Sequence, residues 1–551
     1  MPTTINFRDV LDLPEWRPLS QPVVGGSTNA GISAGTYFAE DLRNNDYANP
    51  LVYYLSGFNI LRSYNIKNDA WQEPFSSITT GGTFNSGSTA TFVPSWGPSG
   101  TLAAGGSTTK VILSTVLLGS VEINQLANRG DDKGFIIRII GNSAGGSGKT
   151  EERRIIANTS GLTPTIIVDS PFTFTPAAGD RYEILSGSLL ILNAGSNATA
   201  NIFRRFDVAT NTFVSLSTAA APSTINSSGN TLVPLDESHV PSNRLCGEGQ
   251  LVGAAKYDGT KFGCLTATAI AAGTITGQAS SGDAAVLANQ YRNYQIRIVE
   301  DTATPTAVGQ RRRITSHTAG ASPVYTLGSN WTVTPSATAK FVIENDTDKI
   351  ILMPGGSSTI YNYNITANTW DTTTWSNLKS TGQSIGGFCF HGFGIVPDEL
   401  NIAKSSNIYC IIGGGSTAID ILDISGAATG SWVGKQFLNS STNTYENFSG
   451  SGYEINTYAY NPHTQNGKYL YMQPLGNSAT NTQKSYTRVD INSLRMQKIA
   501  GPKVVQSIST PTQAKCSFFS LYQDGTTKIA FYNTPIVYVN YVAWWQLMIT
   551  R

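Results

Sequence analysis

The octapeptide Tyr363-Asn-Ile-Thr-Ala-Asn-Thr-Trp370 decides the fold class, because it is one of several copies. Tyr64-Asn-Ile-Lys-Asn-Asp-Ala-Trp71 and Phe206-Asp-Val-Ala-Thr-Asn-Thr-Phe213 keep its order of aromatic, polar, β-branched, polar turn and second aromatic. Weaker copies are Leu422-Asp-Ile424 leading to Trp432 and Val489-Asp-Ile491 leading to Leu494. Each follows an apolar run, often ending in glycine: residues 51–57, 189–195, 350–356, 409–415 and 468–472. Asp-Gly or Asn-Gly turns at Tyr257–Lys261, Tyr460–Lys468 and Tyr522–Lys528 mark further hairpins. Short apolar runs punctuated by such turns, with no sustained 3.6-residue period, predict an all-β chain.

The order of a glycine-ended strand followed by Y-(N/D)-(I/V)-x-x-N-x-W resembles the kelch repeat of β-propellers. The resemblance implies four-stranded blades, with glycines near the axis and aromatics between neighbouring blades. The β-branched landmarks Ile66, Val208, Ile365, Ile424 and Ile491 are 142, 157, 59 and 67 residues apart. A blade needs roughly 40–50 residues, so the first two intervals each hold an insertion of about 80–100. The segment Ile536–Ile549 completes no blade alone, and Glu15-Trp16-Arg17-Pro18-Leu19 reads as its missing outer strand. A six-bladed kelch-like ring closed by pairing the two chain ends is therefore expected.

A second repeat lies inside the long intervals. Adding 159 carries Ile137-Arg138-Ile139 onto Ile296-Arg297-Ile298, Arg153-Arg154-Ile155 onto Arg312-Arg313-Ile314, Phe172 onto Trp331, and Tyr182 onto Phe341. The expected organisation is propeller over 1–103, a first β module over 104–186, propeller over 187–264, a second, homologous module over 265–346, and propeller over 347–551. Each module is expected to leave its blade as a separate knob.

Gly141-Asn-Ser-Ala-Gly-Gly-Ser-Gly-Lys149-Thr150 mimics a phosphate-binding loop. A true one needs glycine at 143 and a helix after it, whereas Ser143 and the strand-like Glu151-Glu152-Arg153-Arg154-Ile155-Ile156 stand there. The second module has Glu300–Gln310 at this place, without Gly-Lys-Thr. The stretch reads as a connector, and no cofactor is expected.

Composition excludes several other classes. Charged residues are only 13% and net charge is +1, which gives no polyelectrolyte signal for nucleic acid or anionic membrane. Cys246, Cys264, Cys389, Cys410 and Cys516 show no C-x-x-C spacing, and His239, His317, His391 and His463 sit in no ligand cluster. They read as reduced, mostly buried thiols and as histidines without a metal. His391 beside Cys389 raises the copper radical oxidases built on kelch-type propellers, but an alternating strand accounts for both residues. The Ser-x-Asp-x-Gly-x-x-Trp boxes of six-bladed sialidases are missing; Ser425–Trp432 comes nearest and lacks the aspartate. Asp131-Asp132 reads as a turn cap. No enzyme is expected. The N-terminus has no secretory pattern and no long apolar run occurs, so folding in a cytoplasm and no membrane segment are expected.

The recurring arginines, Arg153 and Arg154 in one module and Arg311, Arg312 and Arg313 in the other, are candidate partner-contacting residues. The module pattern (I)RI(I/V)…RR-I…(F/W)T-x-TP…(Y/F)-x-I is similar to a short β module of tailed-bacteriophage virion proteins. A six-bladed propeller with inserted β domains further resembles the tail-nozzle proteins of short-tailed phages. That resemblance implies a structural tail subunit in the virion, acting in a homo-oligomeric ring, hexameric by preference. Its partners would be itself and other tail proteins such as adaptor and fibres, and DNA would pass through the assembly without specific binding. The competing expectation is a carbohydrate- or receptor-binding propeller acting as an adhesin.

Overall fold

The computed structural model describes residues 96–130, 132–193, 202–216, 265–277, 288–289, 295–320, 322–344, 361–371 and 431–446, and elsewhere the strands named below with residues 493–494. The architecture is all-β. The only helical pieces among the described residues are short 3-10 turns such as Gln125–Ala127 and Pro305–Ala307, and no helix there is long and apolar enough to cross a membrane.

Among the described residues outside the modules the strands form six antiparallel meanders. The first runs Thr36–Phe38, Leu51–Leu55, Leu61–Asn65, Ala70–Trp71, and the second Thr89–Val93, Ser188–Asn193, Ile202–Asp207, Thr212–Ser215. The third is Thr231–Pro234, Lys349–Met353, Tyr361–Asn364, Thr369–Asp371, and the fourth Phe388–His391, Asn407–Ile411, Ile419–Asp423, Ser431–Lys435. The fifth, Tyr458–Tyr460, Tyr469–Met472, Ser485–Asp490, Arg495–Ala500, is widened by Phe437–Asn439 and Tyr445–Glu446. The sixth is Leu521–Gln523, Lys528–Tyr538, Tyr541–Thr550, and its fourth strand is Glu15–Pro18 from the start of the chain, with Glu15 opposite Met548 and Pro18 opposite Trp545. The opening strands of the first four sheets lie side by side in sequence order. Between the second and third sheets Val93, Leu190, Leu192 and Phe203 pack on Leu232, Ile350, Leu352, Tyr363 and Trp370.

The aromatic repeat is a hairpin, and its pattern has a local cause. The two aromatics stand opposite one another across the hairpin: Tyr64 and Trp71, Phe206 and Phe213, Tyr363 and Trp370. Cross-strand aromatic pairs are among the stronger sheet contacts; the second and third have ring centroids 4.8 and 5.2 Å apart. The polar residue after the first aromatic caps the turn: the Asp207 carboxylate accepts from the Thr210 amide, and the Asn364 side chain from the Ala367 amide. The asparagine two places before the second aromatic takes the left-handed conformation that the turn needs, with φ 53° at Asn211 and 52° at Asn368. In the fourth sheet Leu422 faces Trp432 as the pattern implies. In the fifth, Val489 faces Met496, because Leu494 itself, at φ 55°, turns the chain. The turns at 257–261, 461–468 and 524–527 lie outside the described residues, although the strands flanking the last two pair as hairpins.

The first module interrupts the second sheet between its first two strands, and the second module interrupts the third sheet at the same place. Module one is a six-stranded sheet ordered Ser99–Thr101, Arg181–Ile184, Ile136–Ile140, Thr150–Asn158, Thr165–Val168, Lys110–Ile112. It begins at Ser99, ahead of the expected boundary at 104. Module two has the corresponding order closed into a barrel: Leu265–Ala271, Lys340–Glu344, Gln295–Glu300, Arg311–His317, Val324–Leu327, Thr274–Gly277. The offset of 159 is not constant. It holds for the last four strands, but Val111 and Ile275 face the equivalent positions Ile166 and Tyr325, 164 residues apart, and Asn124 matches Asn289 at 165. Both asparagines are left-handed, at φ 61° and 63°, and each donates its amide across the module, to the carbonyls of Asn158 and His317 at 3.0 Å. The difference is six extra residues in module one between Asn124 and Ile136, which hold its 3-10 turn.

Module one is not a separate knob. Its core, built on Ile137, Ile139, Ile155 and Ile166, is continuous with Tyr53 and Leu61 of the first sheet and with Leu189 and Phe206 of the second. Gln125 donates from Nε2 to the Ala209 carbonyl at 2.9 Å, which seats the module on the turn of its own hairpin. Its root is fixed by Arg205, buried across the Trp96 ring at 4.3 Å, donating to Ser188 Oγ at 2.8 Å and paired with Asp207 at 2.8 Å. Burial raises the Asp207 carboxyl and Arg205 offsets part of that rise.

Candidate functional site

The glycine-rich stretch 141–150 lies where the two modules meet. Lys149 and Glu300 form an antiparallel backbone bridge, the Asp301 amide donates to the Gly148 carbonyl at 2.8 Å, and Asn142 Nδ2 donates to the Val308 carbonyl at 3.2 Å. Gly148 has φ +68°, and a Cβ there would stand 2.3 Å from the Asp301 carbonyl oxygen. Only glycine satisfies both the conformation and the approach. The Asp180 carboxylate accepts from the Ser143 amide at 2.9 Å, so a negative group already occupies a loop N–H that a phosphate cradle would present. The glycines serve contact between two backbones.

Beside the bridge, one carboxylate is shared among guanidiniums of both modules. Glu183 reaches Arg138 of its own module at 2.6 Å, and Arg297 and Arg311 of module two at 3.5 Å each. Arg138 is also paired with Glu152 at 2.7 Å. Arg138 and Arg297 are equivalent positions, both buried, and both are borne on the strand opposite position 183 or its counterpart 342. Burial alone would raise the Glu183 carboxyl, but Arg311, Arg138, Arg297 and Arg181 outweigh it and hold the group well below the usual carboxylate range. Buried charges persist when paired in this way. Ile140 of module one enters the core of module two beside Val299 and Val308.

The recurring arginines divide between two roles. Arg153 donates from Nε to the Pro171 carbonyl at 3.0 Å, from Nη1 to the Glu152 carbonyl at 2.7 Å and from Nη2 to Glu151 at 2.9 Å, and lies over the Phe172 ring at 5.1 Å. Arg312 repeats each contact at the equivalent place: the Asn330 carbonyl at 2.8 Å, the Arg311 carbonyl at 2.6 Å, Gln310 at 3.4 Å and the Trp331 ring at 5.4 Å. The recurrence that suggests a partner surface is thus an internal clamp joining a strand to the loop that follows the next strand. Arg154 is buried and donates to the Gly134 carbonyl at 2.9 Å. Arg311 faces the other module through Glu183, and Arg313 stands opposite Gln295 in the barrel. Arg153 and Arg154 are therefore packing groups, contrary to the expected partner surface, since burial leaves their guanidiniums facing their own module.

Among the described residues the other chemically suggestive groups do not converge. Among the described residues no group of three or more His, Cys, Asp or Glu is placed to hold a metal ion. Asp132, at φ 60°, sits in the turn closed by the Arg129 amide and the Lys133 carbonyl at 2.8 Å; Asp131 is outside the described residues. His317 is buried against the Tyr325 ring at 5.3 Å, and burial lowers its pKa. Cys389 and His391 lie on the strand Phe388–His391, whose register sets Cys389 opposite Cys410. His239, His463, Cys246, Cys264 and Cys516 lie outside the described residues.

Glu183, Glu152, Arg138 and Arg297 carry the junction, and sequence reasoning passed them over. A signal was present: at equivalent positions the modules exchange Glu152 for Arg311 and Glu183 for Val342, a charge change at otherwise matched strands.

No family model matches the chain and no curated protein matches it. Among solved structures, a chain of the mitotic checkpoint complex is similar at 8% identity with a TM-score of 0.26, covering 99% of this chain and 94% of that one. The major allergen Mala s 1 of Malassezia sympodialis is similar at 9% identity with a TM-score of 0.24, covering 65% of this chain and 89% of the allergen. Likenesses at this level support no statement about fold or activity.

Proposed function

We propose that the six sheets are the blades of a closed six-bladed kelch-like propeller and that the chain is a non-enzymatic structural subunit of a bacteriophage tail. Its place would be a nozzle or hub on the head-to-tail axis, in a homo-oligomeric ring joined through subunit interfaces and contacting adaptor and fibre proteins. Side-by-side opening strands and the N-terminal strand that completes the last sheet support the ring of blades. The modules support the virion reading through the sequence pattern that resembles phage decoration domains.

One observation carries the interface reading. Val116, Leu118, Ile123, Ile156 and Leu162 are exposed on module one, with Ile123 at 70%. They lie along two segments joined by the Leu117 amide to the Leu162 carbonyl and the Asn124 amide to the Asn158 carbonyl. Module two carries Ala288 and Thr315 where module one has Ile123 and Ile156, so these exposed aliphatics belong to one copy and not to the module as such. Grouped exposed aliphatics of this kind mark contact surfaces. The test is an Ile123→Asp, Leu118→Asp chain supplied to the phage in place of the native one. The reading expects the folded variant to be left out of virions; normal incorporation and infectivity would count against it.

A further inference from the structure

We infer that the two modules form a pseudo-two-fold pair whose matching is set by Glu183, so that module one recognises module two of the same chain in preference to a second copy of itself. The contacts reciprocate to within one residue. Position 142 of module one meets Val308 and Gly309, the equivalents of 149 and 150, while positions 148 and 149 meet Asp301 and Glu300, the equivalents of 142 and 141. Contact of i with j together with j with i is the signature of an isologous interface, here built between two copies in one chain. Ile140 and its equivalent Val299 join one core cluster, as residues near such an axis should.

Charge breaks the symmetry. Module one brings Arg138, Glu152 and Glu183 to the junction, whereas module two brings Arg297, Arg311 and the uncharged Val342 at the same three positions. Counting only the groups paired around Glu183 and their equivalents, pairing module two with itself would gather four guanidiniums with none of these carboxylates. Pairing module one with itself would set four carboxylates against two guanidiniums. The mixed pair comes nearest to balance, with three guanidiniums and two carboxylates, and Glu183 touches all three. Like-charge juxtaposition excludes the wrong pairings more strongly than the right one is favoured. Because module one is rooted in the second sheet and module two in the third, the pair ties these neighbours together at a distance from their own contact. This inference stands apart from the tail reading and does not need it.

The experiment is hydrogen–deuterium exchange on the full chain, reading peptides over 141–150 and 300–309 against peptides from the aromatic hairpins as an internal control. Glu183→Gln should speed exchange at the junction at least tenfold and leave the hairpins unchanged. Adding Val342→Glu, which returns a carboxylate to the pseudo-symmetric position facing Arg297, should recover part of the protection, at least threefold. Val342→Glu alone should keep junction exchange within threefold of the native chain, although it places a glutamate at a fully buried valine. Junction exchange within twofold of native in Glu183→Gln, or no recovery in the double variant, would overturn the inference. If Glu183→Gln does not fold, Val342→Glu decides alone: retained protection supports the pseudo-symmetric junction, and loss of protection refutes it.

Discussion

Replacing Gly148 by alanine isolates what the glycine-rich stretch does. The residue is at φ +68°, and a Cβ would come within 2.3 Å of the Asp301 carbonyl oxygen and 2.8 Å of the Thr302 Cα. A left-handed conformation costs a non-glycine residue about 1–2 kcal/mol. Relieving the overlap requires the two backbones to separate, which also loses the hydrogen bond from the Asp301 amide to the Gly148 carbonyl, 2.8 Å long, worth about 1 kcal/mol net. The sum, about 2–3 kcal/mol, falls on the junction between modules and not on either module's core. Opening there should become roughly 30- to 150-fold more frequent, at tenfold per 1.4 kcal/mol. Hydrogen exchange at the Asp301 amide reads this opening directly, since local openings report their own free energies. Gly145, three residues away in the same loop, has nothing within 4 Å of the place a Cβ would take, so Gly145→Ala is the control and should leave exchange unchanged. Equal effects of the two substitutions would refute the assignment of the loop to docking.

Removing residues 1–20 deletes the strand paired with Tyr541–Thr550; losing its ladder costs about 2–4 kcal/mol and leaves an open edge, so scanning calorimetry should show a lower midpoint and earlier aggregation. Arg153→Ala leaves the buried Glu151 without its cation and should destabilise by about 3–5 kcal/mol. Arg312→Ala removes a half-buried group paired with neutral Gln310 and should cost about 1–2 kcal/mol; urea unfolding distinguishes them. The folded pKa of Glu183 lies below its ordinary value of 4.5, so its contribution is complete above that value and is lost as pH falls through the folded one. Junction exchange, corrected for its intrinsic pH dependence, should therefore be constant from pH 8 to 6 and rise only in acid below about pH 4.

The hairpin repeat was legible because its causes are local. A cross-strand aromatic pair, a capping Asp207 or Asn364 and a left-handed Asn211 or Asn368 each leave a mark at fixed spacing. The pairing of Glu15–Pro18 with the last strand was legible for a related reason: Ile536–Ile549 lacked a partner, and Glu15–Leu19 was extended and apolar enough to supply one. The module junction was not legible, because Glu183 meets Arg297 only through tertiary packing between the modules, 114 residues apart in the chain. The arginine pattern misled for the opposite reason: repetition of Arg153 at Arg312 records a clamp internal to each module, and repetition by itself does not distinguish a fold requirement from a binding surface. The six-residue difference before Ile136 was hidden by strong matches on the strands that follow it.

The measurement that bears most directly on the tail-subunit reading is electron cryomicroscopy of purified virions, with the chain located by fitting its two-module body. The reading predicts a closed ring of identical copies on the tail axis, six by preference, with the stripe of Val116, Leu118, Ile123, Ile156 and Leu162 covered by a neighbouring protein. Scattered peripheral monomers, or particles that lack the chain, would contradict it and favour a propeller that binds carbohydrate or receptor on its own.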